Sequence, residues 1–244
     1  MDEHISIILT HHASPAYADR SKIMRKSIAS LIATTKNLPC EIIVVDNGGS
    51  LEDSEFLLKL ADEGEITTYI RNKDNLLWSY AWEQAYRLAT GEYLVFTCND
   101  IYFQEGWLNQ CLKILKNHKG EKYFVTPYLD QSHFGRRFEL PDIEDARVNN
   151  RSGSNCIIID RETYEKVGRF PFHIIGGSHW YDKVVGKLGY RVLIPKQNYI
   201  VDLGFKNGFV HKLVGGHAEW FKDIHMDKIL TNGEHIHFEE EVEE

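Results

Sequence analysis

Hydrophobic positions change period repeatedly along the first half of the chain. Residues 5–9, Ile-Ser-Ile-Ile-Leu, form a short apolar run, the pattern of a strand buried on both faces. Ile23, Ser27, Ile28, Leu31 and Ile32 then recur at helical spacing. A second apolar run at 41–45 stops at Asn47-Gly48-Gly49, a turn signal. Phe56, Leu57 and Leu60 predict a helix over 51–63, with Gly64 just past its end. Residues 66–70 read as a third strand, 76–90 as a helix closed by Gly91, and 93–96 as a fourth strand. A helix over 106–117 and a fifth strand at 123–125 complete the series. Strands and helices alternating through short connections predict an α/β fold, a mostly parallel sheet with helices on both faces.

The second half is less regular. Residues 128–150 carry many charges, little periodicity, Pro141 and the preceding Pro127, and read as a loop-rich insertion. A strand at 156–159, helices at 161–167 and 178–188, and short strands at 192–194 and 199–201 follow. Beyond Asp202 the chain is punctuated by Gly204, Gly208, Gly215 and Gly216 before an aromatic helix at 218–230. Neither an internal repeat nor a linker long enough to separate two domains is visible, so 1–238 reads as one domain.

Composition narrows the class. Over 244 residues, 43% hydrophobic and 26% charged positions are ordinary globular values. The absence of an ~18-residue apolar run argues against a membrane span, and the first residues lack a signal-peptide layout. Cys40, Cys98, Cys111 and Cys156 show no C-x-x-C spacing and read as reduced thiols of a cytosolic protein. The formal charge is −8, but 239–244 holds five glutamates, so the body is close to −3 and the end is a solvated acidic tail. Such a body offers no basic stripe for nucleic acid.

Ligands of open α/β sheets bind beyond the carboxyl ends of the strands. Four sets of polar residues fall there: Thr10-His11-His12, Asp46-Asn47, Arg71-Asn72 and Cys98-Asn99-Asp100. Each alone is an ordinary turn or cap. Together they predict a ligand crevice along one sheet edge.

These residues resemble a known family. Ile5-Ser6-Ile7-Ile8-Leu9 with Ile43-Val44-Val45-Asp46-Asn47-Gly48-Gly49-Ser50 is similar to the opening of a family 2 glycosyltransferase of the GT-A, Rossmann-like fold. Asn72, Asn75 and Ala85 before Ala89-Thr90-Gly91-Glu92-Tyr93-Leu94-Val95-Phe96 resemble the segment leading to that family's metal motif. Gly153-Ser154-Asn155-Cys156-Ile157-Ile158-Ile159 with Val167-Gly168-Arg169-Phe170, and Gly189-Tyr190-Arg191-Val192 with Pro195, resemble its acceptor side. The resemblance spans roughly residues 4–211. It implies a nucleotide-binding half over 1–127 and an acceptor half over 128–238.

The resemblance also implies roles. A diphosphate leaving group is usually stabilised by a divalent cation, Mn²⁺ or Mg²⁺. The family's D-x-D motif falls on Cys98-Asn99-Asp100, so Asp100 takes the metal-binding position and Cys98 replaces the first carboxylate with a thiol, a poor ligand for such ions. Asp46 matches the nucleoside contact; Thr10 and His11 line the base pocket; Arg71, Asn75 and Asn99 belong to the donor's ribose and pyrophosphate surroundings. His211, closing a glycine-rich loop, is the expected second metal ligand, with Asp202 as its competitor. Of Gly176-Gly177-Ser178-His179-Trp180-Tyr181-Asp182, Asp182 is the expected general base and His179 the alternative, while Trp180 either stacks on a sugar or fills the core. His235 and His237 near the tail read as surface.

The implied activity is inverting transfer of a single sugar from a nucleoside-diphosphate sugar, a UDP-sugar first, to a hydroxyl of a glycan or lipid-linked acceptor in polysaccharide biosynthesis. The implied location is the cytoplasm, free or in peripheral contact with the cytosolic face of a membrane; oligomeric state is open. A non-catalytic module binding a sugar nucleotide or glycan is the alternative, kept by the altered metal motif. A nucleotidyltransferase would want a basic, glycine-rich loop after the first strand, and Thr10-His11-His12-Ala13-Ser14-Pro15 offers none.

Overall fold

The computed structural model describes residues 4–12, 20–127, 141–149, 156–170, 180, 182–197 and 199–203. β1 (Ile5–His11) is buried at all seven positions because helices cover both of its faces. Alternation sorts its side chains. Ile5, Ile7 and Leu9 join one hydrophobic cluster, whereas Ile8 joins a second on the opposite face. The same split runs through β2 (Cys40–Asn47), where Ile42 and Val44 lie in the first cluster and Ile43 and Val45 in the second.

α1 (Arg20–Thr35), α2 (Leu51–Asp62) and α4 (Trp107–Asn117) supply the first cluster through Met24, Ile28, Leu31, Leu57, Trp107 and Cys111. α3 (Trp78–Tyr86) and α5 (Arg161–Val167) supply the second through Trp82, Ala85, Tyr164 and Val167. The eight-stranded sheet runs β3-β2-β1-β4-β8-β6-β9-β7. β3 (Thr68–Asn72), β2, β1 and β4 (Tyr93–Cys98) are mutually parallel. β8 (Cys156–Asp160) lies antiparallel between β4 and β6 (Tyr123–Val125), β9 (Arg191–Pro195) is parallel to β6, and β7 (Ala146–Asn149) closes the edge antiparallel to β9. The fold is thus α/β with a mostly parallel sheet and helices on both faces.

Three expectations are corrected. Part of the stretch read as a loop-rich insertion is the edge strand β7. Residues 101–103, left without an element between the fourth strand and the 106–117 helix, form β5 (Ile101–Phe103), antiparallel to β10 (Ile200–Asp202). β3 begins at Thr68 rather than at 66, because the Ile66 N–H closes the end of α2 on the Leu60 carbonyl. The helix over 178–188 is described only as Trp180 and a π-helical segment, Asp182–Lys187. The 218–230 helix, His235, His237 and the acidic tail lie outside the described residues. Among the described residues no helix is long and apolar enough to cross a membrane, and Cys40, Cys98, Cys111 and Cys156 are all unbridged.

Two packing details position the site. Trp180 is fully buried against Phe170 (ring centroids 4.7 Å apart) and Phe124 (5.6 Å), and its Nε1–H donates to the Gly168 carbonyl at 3.0 Å. It fills the core, which excludes sugar stacking in this arrangement and anchors the chain two residues before Asp182. At the opposite end of the sheet, buried Glu41 accepts from Ser6 Oγ at 2.6 Å and from the Thr90 backbone N–H at 2.6 Å, while the Gly91 N–H donates to Ser6 Oγ at 2.7 Å. The Ala89-Thr90-Gly91 signature therefore locks β1, β2 and β4 together far from the ligand edge.

Candidate active site

Parallel register brings the four polar sets together. His11 lies opposite Asp46 and Thr10 opposite Cys98. Asp46 lies opposite Arg71, and Asn47 opposite Asn72. All occupy the carboxyl ends of adjacent strands, where the sequence places the crevice.

Much of this edge is built of buried, mutually satisfied groups. The Asp46 side chain is fully buried; Oδ1 accepts the Gly49 N–H at 2.7 Å, and Oδ2 accepts the Ser54 hydroxyl at 2.5 Å and the Tyr69 hydroxyl at 2.9 Å. Burial and the Asp46 carboxylate push the Tyr69 phenol up to about 12. Arg71, about half exposed (48%), donates from Nε to Ser54 Oγ at 2.9 Å and stands 3.6 Å from Asp46. Gly49 is needed beside this carboxylate, since a Cβ there would stand 2.5 Å from Asp46 Oδ1 and 3.0 Å from the His11 ring.

His11 is likewise fully buried, pinned between Asp53 (Nε2 to Oδ2, 3.2 Å) and Asn99 (Nδ1 to Nδ2, 2.7 Å). A carboxylate only accepts, so Nε2 carries the proton toward Asp53 and Nδ1 accepts from the Asn99 amide. Burial alone would raise the Asp53 carboxyl, but hydrogen bonds from His11 and Ser21 outweigh it and hold the group below its usual range. His11 therefore presents no surface to a ligand in this arrangement; it fixes Asn99, the neighbour of Asp100. Thr10 is nearly buried, and its hydroxyl oxygen has no hydrogen-bond partner among the described residues.

An amide network shapes the segment after β3. Asn47 Nδ2 donates to Asn75 Oδ1 at 2.9 Å, and Asn72 Nδ2 donates to Asn47 Oδ1 at 3.1 Å. Asn75 Oδ1 also accepts the Leu77 N–H at 3.0 Å, beside the positive φ of +73° that Leu77 adopts, a backbone conformation uncommon for a leucine. Asn75 is thus a loop fastener.

Asp100 stands apart. Its Oδ2 accepts Arg20 Nη1–H at 2.9 Å, and its Oδ1 is buried with no hydrogen-bond partner among the described residues. The backbone of β10 arrives alongside: Asp202 pairs with Ile101, and the Leu203 N–H donates to the Asp100 carbonyl at 2.7 Å. The segment from which a second metal ligand was expected therefore leaves from beside Asp100, whereas His211 itself lies outside the described residues. Among the described residues no group of three or more His, Cys, Asp and Glu side chains gathers to hold a metal. An orphaned buried carboxylate oxygen nevertheless fits one added cation, since a buried acceptor without a donor is costly. Asp182 opens the π-helical segment two residues past the anchored Trp180; His179 lies outside the described residues.

Arg20, Asp53, Ser54 and Tyr69 escaped the sequence reading, being separated by 80 residues in one pairing and 23 in another. One signal for Arg20 was present: a helix following a parallel strand starts at that strand's carboxyl end, so the first residue of α1 faces the crevice.

Parallel strands ending in a polar crevice and continued by antiparallel strands are an arrangement shared with GT-A folds. The sequence matches the model of Glycosyl transferase family 2 over residues 12–179, and the chain belongs to that family. No curated protein matches it. Solved structures of similar fold include the mannosyltransferase PcManGT from Pyrobaculum calidifontis in complex with GDP-Man and Mn²⁺, with a TM-score of 0.66 and 17% identity over 96% of this chain and 66% of that one. GalNAc-T7 with UDP, GalNAc and Mn²⁺ gives 0.60 and 14%, over 79% of this chain and 42% of that one. TarS from S. aureus gives 0.58 and 15%, over 93% and 69%. The chain thus spans about two thirds of the first of these proteins and less than half of the second, and the likeness is one of fold.

Proposed function

We propose that the protein transfers a single sugar from a nucleoside-diphosphate sugar to a hydroxyl of a glycan or lipid-linked acceptor, with inversion at the anomeric carbon. The observation that carries this reading is Asp100, whose orphaned carboxylate oxygen sits at the carboxyl end of the strands in a chain of glycosyl transferase family 2. UDP is the first nucleotide to test and GDP the second, because one solved relative holds GDP-Man and TarS has been solved with UDP-GlcNAc.

Residues 1–127 form the donor half and 128–238 the acceptor half. The nucleoside lies over the Gly49 turn, which Asp46 shapes from beneath, with Thr10 offering its hydroxyl and Arg71 an exposed guanidinium. Asn75 and Asn99 hold the crevice walls. Asp100, with His211 from the segment following β10, would hold a divalent ion, and that ion supplies positive charge to the diphosphate as it leaves. Asp182 accepts the proton of the attacking hydroxyl, with His179 as the alternative base, at the start of a segment fixed by Trp180. An in-line attack opposite the leaving diphosphate inverts the anomeric centre, so the base belongs on the acceptor side. The missing first carboxylate at Cys98 favours a second reading, a binding module without turnover.

Thermal shift and calorimetry with UDP, GDP, dTDP and CMP, each with and without Mn²⁺, test the reading. A nucleotide at 100-fold excess over its Kd stabilises by ~2.7 kcal/mol. Asp100→Ala should abolish the Mn²⁺-dependent part of that affinity. Absence of binding by any nucleotide overturns the transfer reading and leaves only a glycan-binding module; binding without turnover across donor and acceptor panels favours a module that holds the nucleotide.

A further inference from the structure

The ion pair between Arg20 and Asp100 is well placed to matter. It links the first residue of α1 to the strand end after β4, its N–O distance is 2.9 Å, and both side chains are largely buried, at 17% and 15% exposure. Such a charge-assisted pair is shorter and stronger than a neutral hydrogen bond. Two carboxylates would present a divalent ion with a charge of −2. Here Cys98 removes one carboxylate and Arg20 offsets the other, so these three side chains sum to about zero instead. Little electrostatic attraction for a free cation remains until a ligand brings charge of its own. A guanidinium fork, by contrast, matches both carboxylate and phosphate oxygens and can bridge the two.

We propose that Arg20 is a resident cation of the donor site. Its guanidinium occupies the place beside Asp100 Oδ2 that a divalent ion would otherwise take, so metal binds poorly to the nucleotide-free protein, and it serves the donor's diphosphate directly. The proposal rests on the sugar-nucleotide reading of the site. It makes Arg20 a competitor of the metal for Asp100 Oδ2, while Oδ1, buried without a donor among the described residues, is the oxygen left to an incoming ion. Metal is then recruited mainly together with the nucleotide.

The test separates the two halves. Mn²⁺ is titrated into nucleotide-free full-length wild type, Arg20→Gln, Arg20→Lys and Asp100→Asn, with free Mn²⁺ followed by electron paramagnetic resonance. UDP and GDP are titrated calorimetrically in the presence of chelator. Arg20→Gln should bind Mn²⁺ about tenfold or more tightly than wild type, and lose about tenfold or more of its metal-free nucleotide affinity, the range of one charge-assisted hydrogen bond. Arg20→Lys should retain part of the metal-free affinity through its charge. Asp100→Asn should weaken Mn²⁺ binding below wild type. Unchanged Mn²⁺ affinity in Arg20→Gln overturns the competition, and unchanged metal-free nucleotide affinity overturns the diphosphate role. Equal losses in Arg20→Gln and Arg20→Lys, tracking a common fall in melting temperature, would reduce Arg20 to a structural residue and overturn both. If wild type binds neither nucleotide under either condition, the sugar-nucleotide reading falls with the diphosphate role, while the Mn²⁺ titration still decides the competition.

Discussion

Asp46→Ala tests whether the donor edge is a wall or a ligand. The Asp46 carboxylate accepts from the Gly49 N–H at 2.7 Å, the Ser54 hydroxyl at 2.5 Å and the Tyr69 hydroxyl at 2.9 Å, all at a fully buried side chain. Ser54 has a second acceptor in the Ser50 carbonyl at 3.0 Å and can turn to it. Gly49 and Tyr69 lose their acceptor, and a hydrogen bond to a charged group contributes about 1.5–3 kcal/mol. Together with the small cavity left behind, the expected loss is about 3–5 kcal/mol of unfolding free energy. Urea denaturation should show a midpoint lowered by about 1 M or more at an unchanged slope. Asp46→Asn should lose a comparable amount, since an amide places two donors where three donors already converge. Nucleotide affinity, measured at a temperature where the variant is folded, should fall with the loosened Gly49 turn. A midpoint indistinguishable from wild type with nucleotide affinity lost would refute this reasoning and make Asp46 a direct nucleoside ligand.

Three further outcomes are expected. Asp182→Asn should keep nucleotide affinity and lose about 10²–10⁴ in turnover, read as released nucleotide; a near-normal rate there with the loss in His179→Ala moves the base to His179. Gly91→Ala should destabilise by about 1–3 kcal/mol in denaturation, because its Cβ would lie 2.5 Å from the Ser6 nitrogen and 2.7 Å from Ser6 Oγ; unaltered stability would show that the sheet end yields. The lowered Asp53 carboxyl contributes stability that is present above the unfolded value of ~3.9 and lost as pH falls through its folded value. Asp53→Asn should therefore flatten the acid limb of a stability–pH curve, and an unchanged limb would remove Asp53 from acid unfolding.

The parts of the fold that were legible in sequence are those whose cause is local. β1, β2 and β4 are apolar runs because both faces are covered, and α4 shows its buried stripe of Leu108, Cys111, Leu112 and Leu115 at helical spacing. β5 and β7 escaped because each owes its existence to a distant partner. β5 has three residues with the exposed Tyr102 at its centre, and it pairs with β10 a hundred residues on. β7 carries an exposed Arg147 and ends in Asn149, held at the sheet edge by β9. The strand-end polar sets were legible as a group, since parallel register aligns them. Their individual orientations were not, because whether His11 faces a ligand or the core depends on Asp53 and Asn99, which arrive from α2 and the turn after β4.

That difference between alignment and orientation separates the residues of the edge into two kinds. Asp46, His11, Asn47, Asn75 and Asn99 are buried, and each is tied to another part of the edge. Their hydrogen bonds set the shape of the Gly49 turn and of the segment before α3, and removing one disturbs its partners. Arg71 is about half exposed, the Arg20–Asp100 pair is largely buried, and among these three the charge is +1. A buried carboxylate saturated by three donors is poorly suited to read a passing nucleotide, whereas the exposed Arg71 guanidinium and the Asp100 carboxylate, one oxygen of which has no partner among the described residues, suit the diphosphate and counter-ion of the proposed donor. Shape at this edge therefore comes from the groups that resemble the family's opening motif, and charge from residues that no single stretch of sequence brings together.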